Sequence, residues 1–471
     1  MRPAPLLAAL LFTAAPTSAA PWVEAGSEQL RQDVDRLAAA GAIRGPINAW
    51  PLPAAQLCKI GEVDAALADA ARRIAAACAA DGPRLTSYVT SEPALIRGFG
   101  TTARGEGDIA ASASKDFGRI NLRFGAGMRD GKAHLEPTLL TLDYGGWAIY
   151  GGFVDHWWGP GRENALLLST NARPTPQIGF RRTAPAPIDL PVLRALGPVS
   201  VEVFAGLLTG DRRDYKNTAL VAMRAAFAPA PGLEIGLNRA LQLCGQNRPC
   251  DLNMLADAII AFGDRDNSGT PNEPGNQLAG GDVSYRTMIG PVAAQVYAEI
   301  EGEDENNVIV EQFGRVAGFA LTGPAGEDGA SWSLHGEAAD TLATKLFGGG
   351  KRYPGSFYNH SIYTDGYRYR GRSLGSSLDG DGRMWALAGS YTDADDRRVY
   401  ATWRKVELNR SGTARNPITL VPAEFHLLTA GVELPAATGR LRLEGRLADR
   451  DAGARPLVPG AAVELSFTLA R

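Results

Sequence analysis

The chain has 471 residues, 45% of them hydrophobic, and a formal net charge of −3 with both signs mixed along its length. It carries no basic stripe and no nucleic-acid module, so nucleic acid is not an expected partner. After the first twenty residues no run of about 18 uncharged apolar residues occurs, which excludes a bundle of transmembrane helices.

Residues 1–19 read as an export signal. Arg2 supplies the charged start, "APLLAALLFTAA" the apolar middle, and Thr17-Ser18-Ala19 the small residues of a cleavage site. The apolar run is about 12 residues, short of the roughly 20 that a spanning helix requires, so cleavage rather than anchoring is expected. Four cysteines in an exported chain are too few for a small disulfide scaffold.

Residues 20–114 are expected to form an N-terminal helical region with a linker. Leu30, Val34 and Leu37 make one helical stripe, which Gly41 ends; Pro46, Pro51 and Pro53 mark an extended connection. Val63, Leu67, Ala70, Ile74 and Cys78 make a second stripe on a helix starting near Glu62. Such narrow, alanine-rich faces require something larger to lie against. At about 1.5 Å per residue, Cys78 would lie roughly 24 Å from the start of that helix. Either the helix is broken or Cys58 and Cys78 do not pair with each other.

From residue 115 to 471 the apolar period is two. Ile120, Leu122, Phe124 and Ala126 alternate with polar or small residues, as do Val199 to Leu207, Ala219 to Phe227, Val292 to Ile300, Leu441 to Leu447 and Val463 to Leu469. Stacked β-sandwiches or one transmembrane β-barrel would both explain this grammar. Charges well inside strands favour the barrel: Arg440, Arg442, Glu444 and Arg446 share one face, the pattern of a polar lumen behind a lipid-facing exterior. At roughly 20 residues per strand and connection, this region holds about 18 antiparallel strands. Long polar segments such as Gly263 to Asp282 are expected outside the cell and short turns in the periplasm. The end "SFTLAR" departs from the terminal aromatic common in such barrels.

Catalytic patterns are weak. Asp155 and His156 are neighbours and so point apart on a strand, and no G-x-S-x-G or H-E-x-x-H spacing is present. "GGGK" at Gly348 to Lys351 lacks the rest of a phosphate loop, and His134, His335, His360 and His426 are scattered. Cys244 and Cys250 flank the polar turn "GQNRP" and are expected to form a local bridge. Asp264, Asp266 and Ser268 with Gly269 match the start of a calcium loop, but Gly275 stands where its bidentate Glu belongs; a hydrogen-bonded loop is expected, with calcium the lesser alternative and no metal or other cofactor otherwise. In "HWWGPGRENALLLSTNARPTP", Gly159, Pro160 and Gly161 read as a bend before a further strand in "ENALLLSTN".

Five ordered blocks together resemble the capsule assembly protein Wzi family. They are the start "PWVEAGSEQLRQDVDRLAAAGAIRGPINAWPLP", "WWGPGRENALLLSTNARPTP", "EIGLNRALQLCGQNRP", "FGDRDNSGTPNEPGNQLAGGD" and "FYNHSIYTDGYRYRGRSLGSSLDGDG". The similarity runs from about Trp22 to the end. It implies an outer-membrane β-barrel of eighteen strands with a small helical bundle on its periplasmic side. It further implies a lectin that helps attach and assemble capsular polysaccharide on the cell surface of a Gram-negative bacterium without being its exporter. The ligand comes from the resemblance alone.

Sugar recognition requires flat apolar faces for C–H surfaces and fixed polar forks for hydroxyls and carboxylates. Tyr363, Tyr367 and Tyr369 share one face if extended, Arg368, Arg370 and Arg372 the other, and an arginine ladder in a lumen would neutralise an acidic polymer. Trp157, Trp158, Arg162 and Arg173 complete the candidate set; the two tryptophans point apart, so at most one is an interior stacking surface while the other meets lipid or the helical bundle. The expected protein is a non-enzymatic monomer in contact with surface polysaccharide and outer-membrane lipid. A sugar or anion channel is the alternative, and a hydrolase of lipid or glycan a third reading that no residue constellation nominates.

Overall fold

Alternating residues from Arg84 onward close into a ring of antiparallel strands. The computed structural model describes residues 21–79, 82–210, 212–251, 275–303, 312–326, 329–345, 350–436, 438–451 and 459–468. The wall begins with Arg84–Thr90, Gly107–Asp116, Ile120–Arg129, the pair Lys132–His134 and Leu139–Tyr144, Trp147–Phe153, Pro176–Arg182, Val199–Leu208, Thr218–Ala230 and Leu233–Leu243. It continues through Gly275–Ile289, Val292–Glu303, Gln312–Pro324, Ser331–Lys345, Arg383–Thr392, Arg398–Leu408, Ala423–Ala436, Gly439–Ala448 and Gly460–Thr468. Lys132–His134 and Leu139–Tyr144 both pair with Ile120–Arg129 and form one interrupted stave, which makes 18 staves in all. Gly460–Thr468 lies antiparallel to Arg84–Thr90 and closes the ring, leaving no open edge.

The period of two decides which side faces where. Val203, Ala205 and Leu207 point outward, whereas the alternate residues Glu202, Phe204 and Leu208 are buried. Around the wall, outward residues such as Phe124, Leu140, Ile149, Leu237, Val296 and Leu387 are exposed. A continuous apolar exterior on a closed sheet matches hydrocarbon rather than water, and the barrel is read as membrane-spanning. Short turns at 117–119, 145–146, 231–232 and 290–291 gather at one end; the connecting residues 91–106, 154–175, 350–382 and 409–422 gather at the other. By the asymmetry of such barrels the first end is periplasmic and the second external.

The sheet starts earlier than the expected boundary at residue 115: Arg84–Thr90 and Gly107–Asp116, placed in the linker by their composition, are wall strands. Their sequences "RLTSYVT" and "GDIAASASKD" mix small and hydroxyl residues with few large apolar ones, so the alternation is faint. The expected signal, residues 1–19, lies outside the described residues.

Among the described residues, three α-helices precede the wall: α1 (Glu28–Ala39), α2 (Ala54–Leu57) and α3 (Ala68–Ala79). Ser27 caps α1, its hydroxyl accepting from the Leu30 N–H at 3.2 Å. Val34 and Leu37 of α1 meet Ala70 and Ile74 of α3 in a core shared with Ile47, Trp50, Leu57 and Phe99. The second helix begins at Ala68, after a 3-10 turn at Ala65–Leu67, rather than near Glu62. Between Leu57 and that turn the chain is not helical, so α3 runs back and Cys58 and Cys78 are bridged with Cα atoms 5.7 Å apart. The polar face of α1 is buried too, because the helix lies in the lumen beside Gly275–Ile289, Val292–Glu303 and Gln312–Pro324.

Candidate functional site

The tryptophan corner belongs to the filling of the lumen. Trp157–Trp158 pair antiparallel with Ala49–Trp50 of the N-terminal unit, which sends their rings to opposite sides. Trp157 packs edge-on to Phe99 at 5.4 Å and its Nε1 donates to the Gly161 carbonyl at 2.8 Å. Trp158 meets Phe204 at 5.8 Å and His156 at 5.5 Å. Both are 0% exposed, so neither offers a face to a sugar, contrary to expectation. "ENALLLSTN" is no strand: beyond the bridge of Trp158 to Leu168 it is held by Leu166 N–H donating to Glu299 at 2.6 Å and by the Tyr358 hydroxyl donating to the Leu166 carbonyl.

Arg162 is likewise an anchor rather than a ligand group. Its guanidinium, 1% exposed, bonds Asp35 and lies 3.5 Å from Glu28, and Asp35 also accepts from Arg286 at 3.0 Å. Next to it Glu163 accepts from Arg404 at 2.7 Å and lies 3.1 Å from His335. Burial alone would raise the Glu163 pKa; Arg404 and His335 outweigh it and hold the carboxyl at about 2. Helix α1, this corner and the segment around Tyr358 thus occupy the lumen through buried contacts, which disfavours the channel alternative.

The external mouth is different. A cavity of about 960 Å³ opens there, and its lining carries nine cations, Arg104, Lys132, Arg173, Arg212, Arg213, Arg368, Arg370, Arg372 and Arg415, against one carboxylate, Asp365. Asn171, Asn359, His360, Ser361 and Thr364 add polar groups. The centre is a small hairpin in which Arg368–Tyr369 pairs with Arg372–Ser373. Its turn residues Arg370 and Gly371 have φ of 49° and 77°, the left-handed pair of a tight hairpin turn, where glycine costs least.

Buried neighbours hold the hairpin in place. Arg368 donates to Asp379 from Nε at 2.8 Å and to Asn359 Oδ1 at 2.9 Å, and its carbonyl accepts from Arg212 at 2.9 Å. The Tyr369 hydroxyl is 2.9 Å from that of Thr209, and Asn171 donates to the Ser373 carbonyl at 2.9 Å. The expected aromatic platform does not form. Tyr363 and Tyr367 are 0% exposed and line no part of the cavity, and Tyr369 reaches its wall at 3%. The segment folds back on itself instead of extending, so the tyrosines turn inward and Arg370 and Arg372 outward.

Pairing divides the nine cations. Arg104 is bound by Asp155 at 2.5 Å, Arg212 by Asp214 at 2.6 Å and Arg368 by Asp379, while exposed Arg213 lies 3.5 Å from Asp365. Four of the nine are thus held by carboxylates, and among the described residues the lining itself carries nine cations and one carboxylate. Among the described residues the side chain of half-buried Arg173 makes no hydrogen bond or ion pair. Like charges focused in a concave wall attract anions, and guanidinium forks match carboxylates in two-point contact.

Four of the expected residues, Arg173, Arg368, Arg370 and Arg372, therefore meet in one cavity, with Tyr369 at its wall. Arg104, Lys132, Arg212, Arg213 and Arg415 are not among the expected residues; Lys132 comes from the start of a wall strand and the others from other connections, and only the pair Arg212-Arg213 in a polar loop is a local sign. Cys244 and Cys250 are bridged beside the mouth, with the Cys244 carbonyl accepting from the Tyr363 hydroxyl at 2.9 Å. The calcium option at Asp264, Asp266 and Ser268 lies outside the described residues.

With this geometry established, the profile of the capsule assembly protein Wzi family matches residues 79–451. The chain belongs to the Wzi capsule assembly family. An uncharacterised 55.8 kDa protein in the cps region of Klebsiella pneumoniae is 27% identical over 332 residues, covering 66% of this chain; the chain spans 64% of that relative's length. A solved structure of Wzi from Escherichia coli, an outer-membrane protein involved in group 1 capsule assembly and described as a carbohydrate-binding β-barrel, superposes with a TM-score of 0.81 at 21% identity. That match covers 95% of this chain and 99% of the other, and shows that the two share the Wzi fold. This Wzi-family chain is accordingly an outer-membrane barrel.

Proposed function

We propose that this barrel holds an acidic surface polysaccharide at its external mouth and so helps attach and assemble a capsule or related glycan, as a monomer and without a catalytic step. The lining of the mouth cavity, nine cations and one carboxylate among the described residues, carries the reading. Arg173, Arg370, Arg372 and Arg415 would meet polymer carboxylates, and Asn171, Asn359 and Thr364 its hydroxyls. Family membership supports the same direction. The filled lumen suits a fixed anchor for a polymer better than a path through the membrane.

The test is a gene deletion scored for cell-bound against shed polysaccharide, together with binding of the purified barrel to that polymer. Shedding in the deletion strain and binding that weakens with salt are expected. Unchanged retention with no binding by the pure protein overturns the proposal.

A further inference from the structure

The barrel exterior carries one cationic stretch that the mouth does not explain. It lies at the periplasmic end on five consecutive staves, from Gly107–Asp116 to Pro176–Arg182. There the Lys115 ammonium sits 5.3 Å from the Phe117 ring centre, the Arg119 guanidinium 4.8 Å from Tyr144 and that of Arg182 5.6 Å from Trp147, which is itself stacked on Phe180 at 4.6 Å. Phe117 and Tyr144 are 59% and 68% exposed.

This row continues a wall that can only face hydrocarbon. Ile109, Leu122, Leu142, Ile149 and Ile178 stand exposed on the same outward face, one or more residues further from the rim. Acyl chains against these residues place their head groups level with the three cations. The nearby carboxylates do not neutralise them. Asp116 and Asp143 occupy alternate, lumen-side positions, where Asp116 accepts from the Gly118 N–H and Asp143 bonds Thr183, and Asp189 is engaged by Arg194. Among the described residues, Lys115, Arg119 and Arg182 form no ion pair, and no cation lies over Tyr285 or Tyr391, exposed aromatics elsewhere towards this end.

We propose that this rim is a binding site for net-negative phospholipids of the inner leaflet, recognised through their phosphodiester groups. Rings beneath Lys115 and Arg119, and for Arg182 the Trp147 ring together with the Ala186 and Val199 carbonyls that accept from it at 2.9 and 3.2 Å, hold the cations at the head-group level instead of letting them stretch into bulk water. Four inter-strand gaps of about 4.8 Å separate the first stave from the last, so the row spans roughly 19 Å, wide enough to contact more than one phosphate. An anionic leaflet concentrates at such a basic surface where a zwitterionic one does not.

Native mass spectrometry of the full chain, released from detergent with equal phosphatidylglycerol and phosphatidylcholine, tests this. The expected result is several-fold more phosphatidylglycerol adduct on the wild type. The variant Lys115→Gln/Arg119→Gln/Arg182→Gln should bring the ratio close to one, and Arg119→Lys/Arg182→Lys should keep most of the preference. Lys405→Gln, at the external rim where Lys405 pairs with Glu424 at 2.8 Å, should leave it unchanged. A wild-type ratio near one, or a preference that survives in the triple variant, overturns the proposal. If the triple variant does not assemble, Arg119→Gln alone, in an exposed turn, must lower the ratio, and an unchanged ratio overturns it equally.

Discussion

Arginine fills both the lumen and the mouth, yet the two regions use it in opposite ways. In the lumen and the helical unit that enters it, Arg36 meets Asp69 at 2.6 Å, Arg73 meets Asp33 at 2.8 Å, Arg286 meets Asp35 at 3.0 Å and Arg404 meets Glu163 at 2.7 Å, all with side chains at most 9% exposed. At the mouth, nine cations and one carboxylate line the cavity among the described residues, and Arg370 and Arg415 are exposed. A buried charge without a partner is costly, so the lumen had to be neutralised when the protein folded. A charge in a wet mouth keeps its hydration until an anion replaces it. Residue type alone therefore says little about role, and the local balance of charge says much.

Breaking a pair inside the lumen should have the largest effect. Asp35→Ala leaves Arg162 and Arg286 facing each other without their shared carboxylate. A loss of about 3–5 kcal/mol is expected, typical of removing one partner of a buried ion pair. It would appear as a lower urea midpoint for the detergent-solubilised barrel. Should Asp35→Ala prove no more harmful than Arg415→Ala, the contrast between the two regions fails.

The same lumen should respond to acid. Glu163 is held at about 2, below its ordinary 4.5, so the folded state gives up this proton more readily than the unfolded chain. Its contribution is then fully present above pH 4.5 and fades as the pH falls towards 2. The pKa difference corresponds to on the order of 3 kcal/mol. Glu163→Gln should be less stable at neutral pH, with Arg404 uncompensated, and should lose less stability than the wild type between pH 5 and pH 2. Parallel urea midpoints for the two proteins across that range would remove Glu163 from the account.

At the mouth the effects should reverse. Arg173→Ala, Arg370→Ala and Arg415→Ala combined are expected to weaken polysaccharide binding by about tenfold or more, about 1.4 kcal/mol, and to flatten its salt dependence. The urea midpoint should move less than for Asp35→Ala, since surface changes stay within about 0.5 kcal/mol each and Arg370 in addition gives up its ring contact with Tyr369. Unchanged binding in this variant would separate the cavity from the glycan.

The barrel was legible because membrane and lumen impose a strict alternation: Val221, Met223 and Ala225 face outward while Leu220, Ala222 and Arg224 are buried. Where that contrast weakens, as in "GDIAASASKD", the strand was missed. The cationic cavity was half legible. Arg368, Arg370 and Arg372 cluster in sequence, but Arg104, Lys132 and Arg415 reach them only because distant connections and the start of the Lys132–His134 strand converge at one mouth. The aromatic residues misled for a related reason. Trp157, Trp158, Tyr363 and Tyr367 lie in segments that fold into the lumen, where burial follows from the tertiary path and not from local alternation.

Tyr369 is the position where charge and aromatic recognition can be told apart. Its ring lies at the cavity wall with 3% exposure, its hydroxyl is satisfied by Thr209 at 2.9 Å, and Arg370 sits 5.5 Å from its centre. If the mouth works chiefly through charge, Tyr369→Phe loses one internal hydrogen bond, about 1 kcal/mol of local stability, and binding should fall less than about twofold because every cation remains. A larger fall, with salt dependence intact, would mean that the hydroxyl contacts the sugar directly, and recognition at the mouth would then combine charge with a specific polar contact.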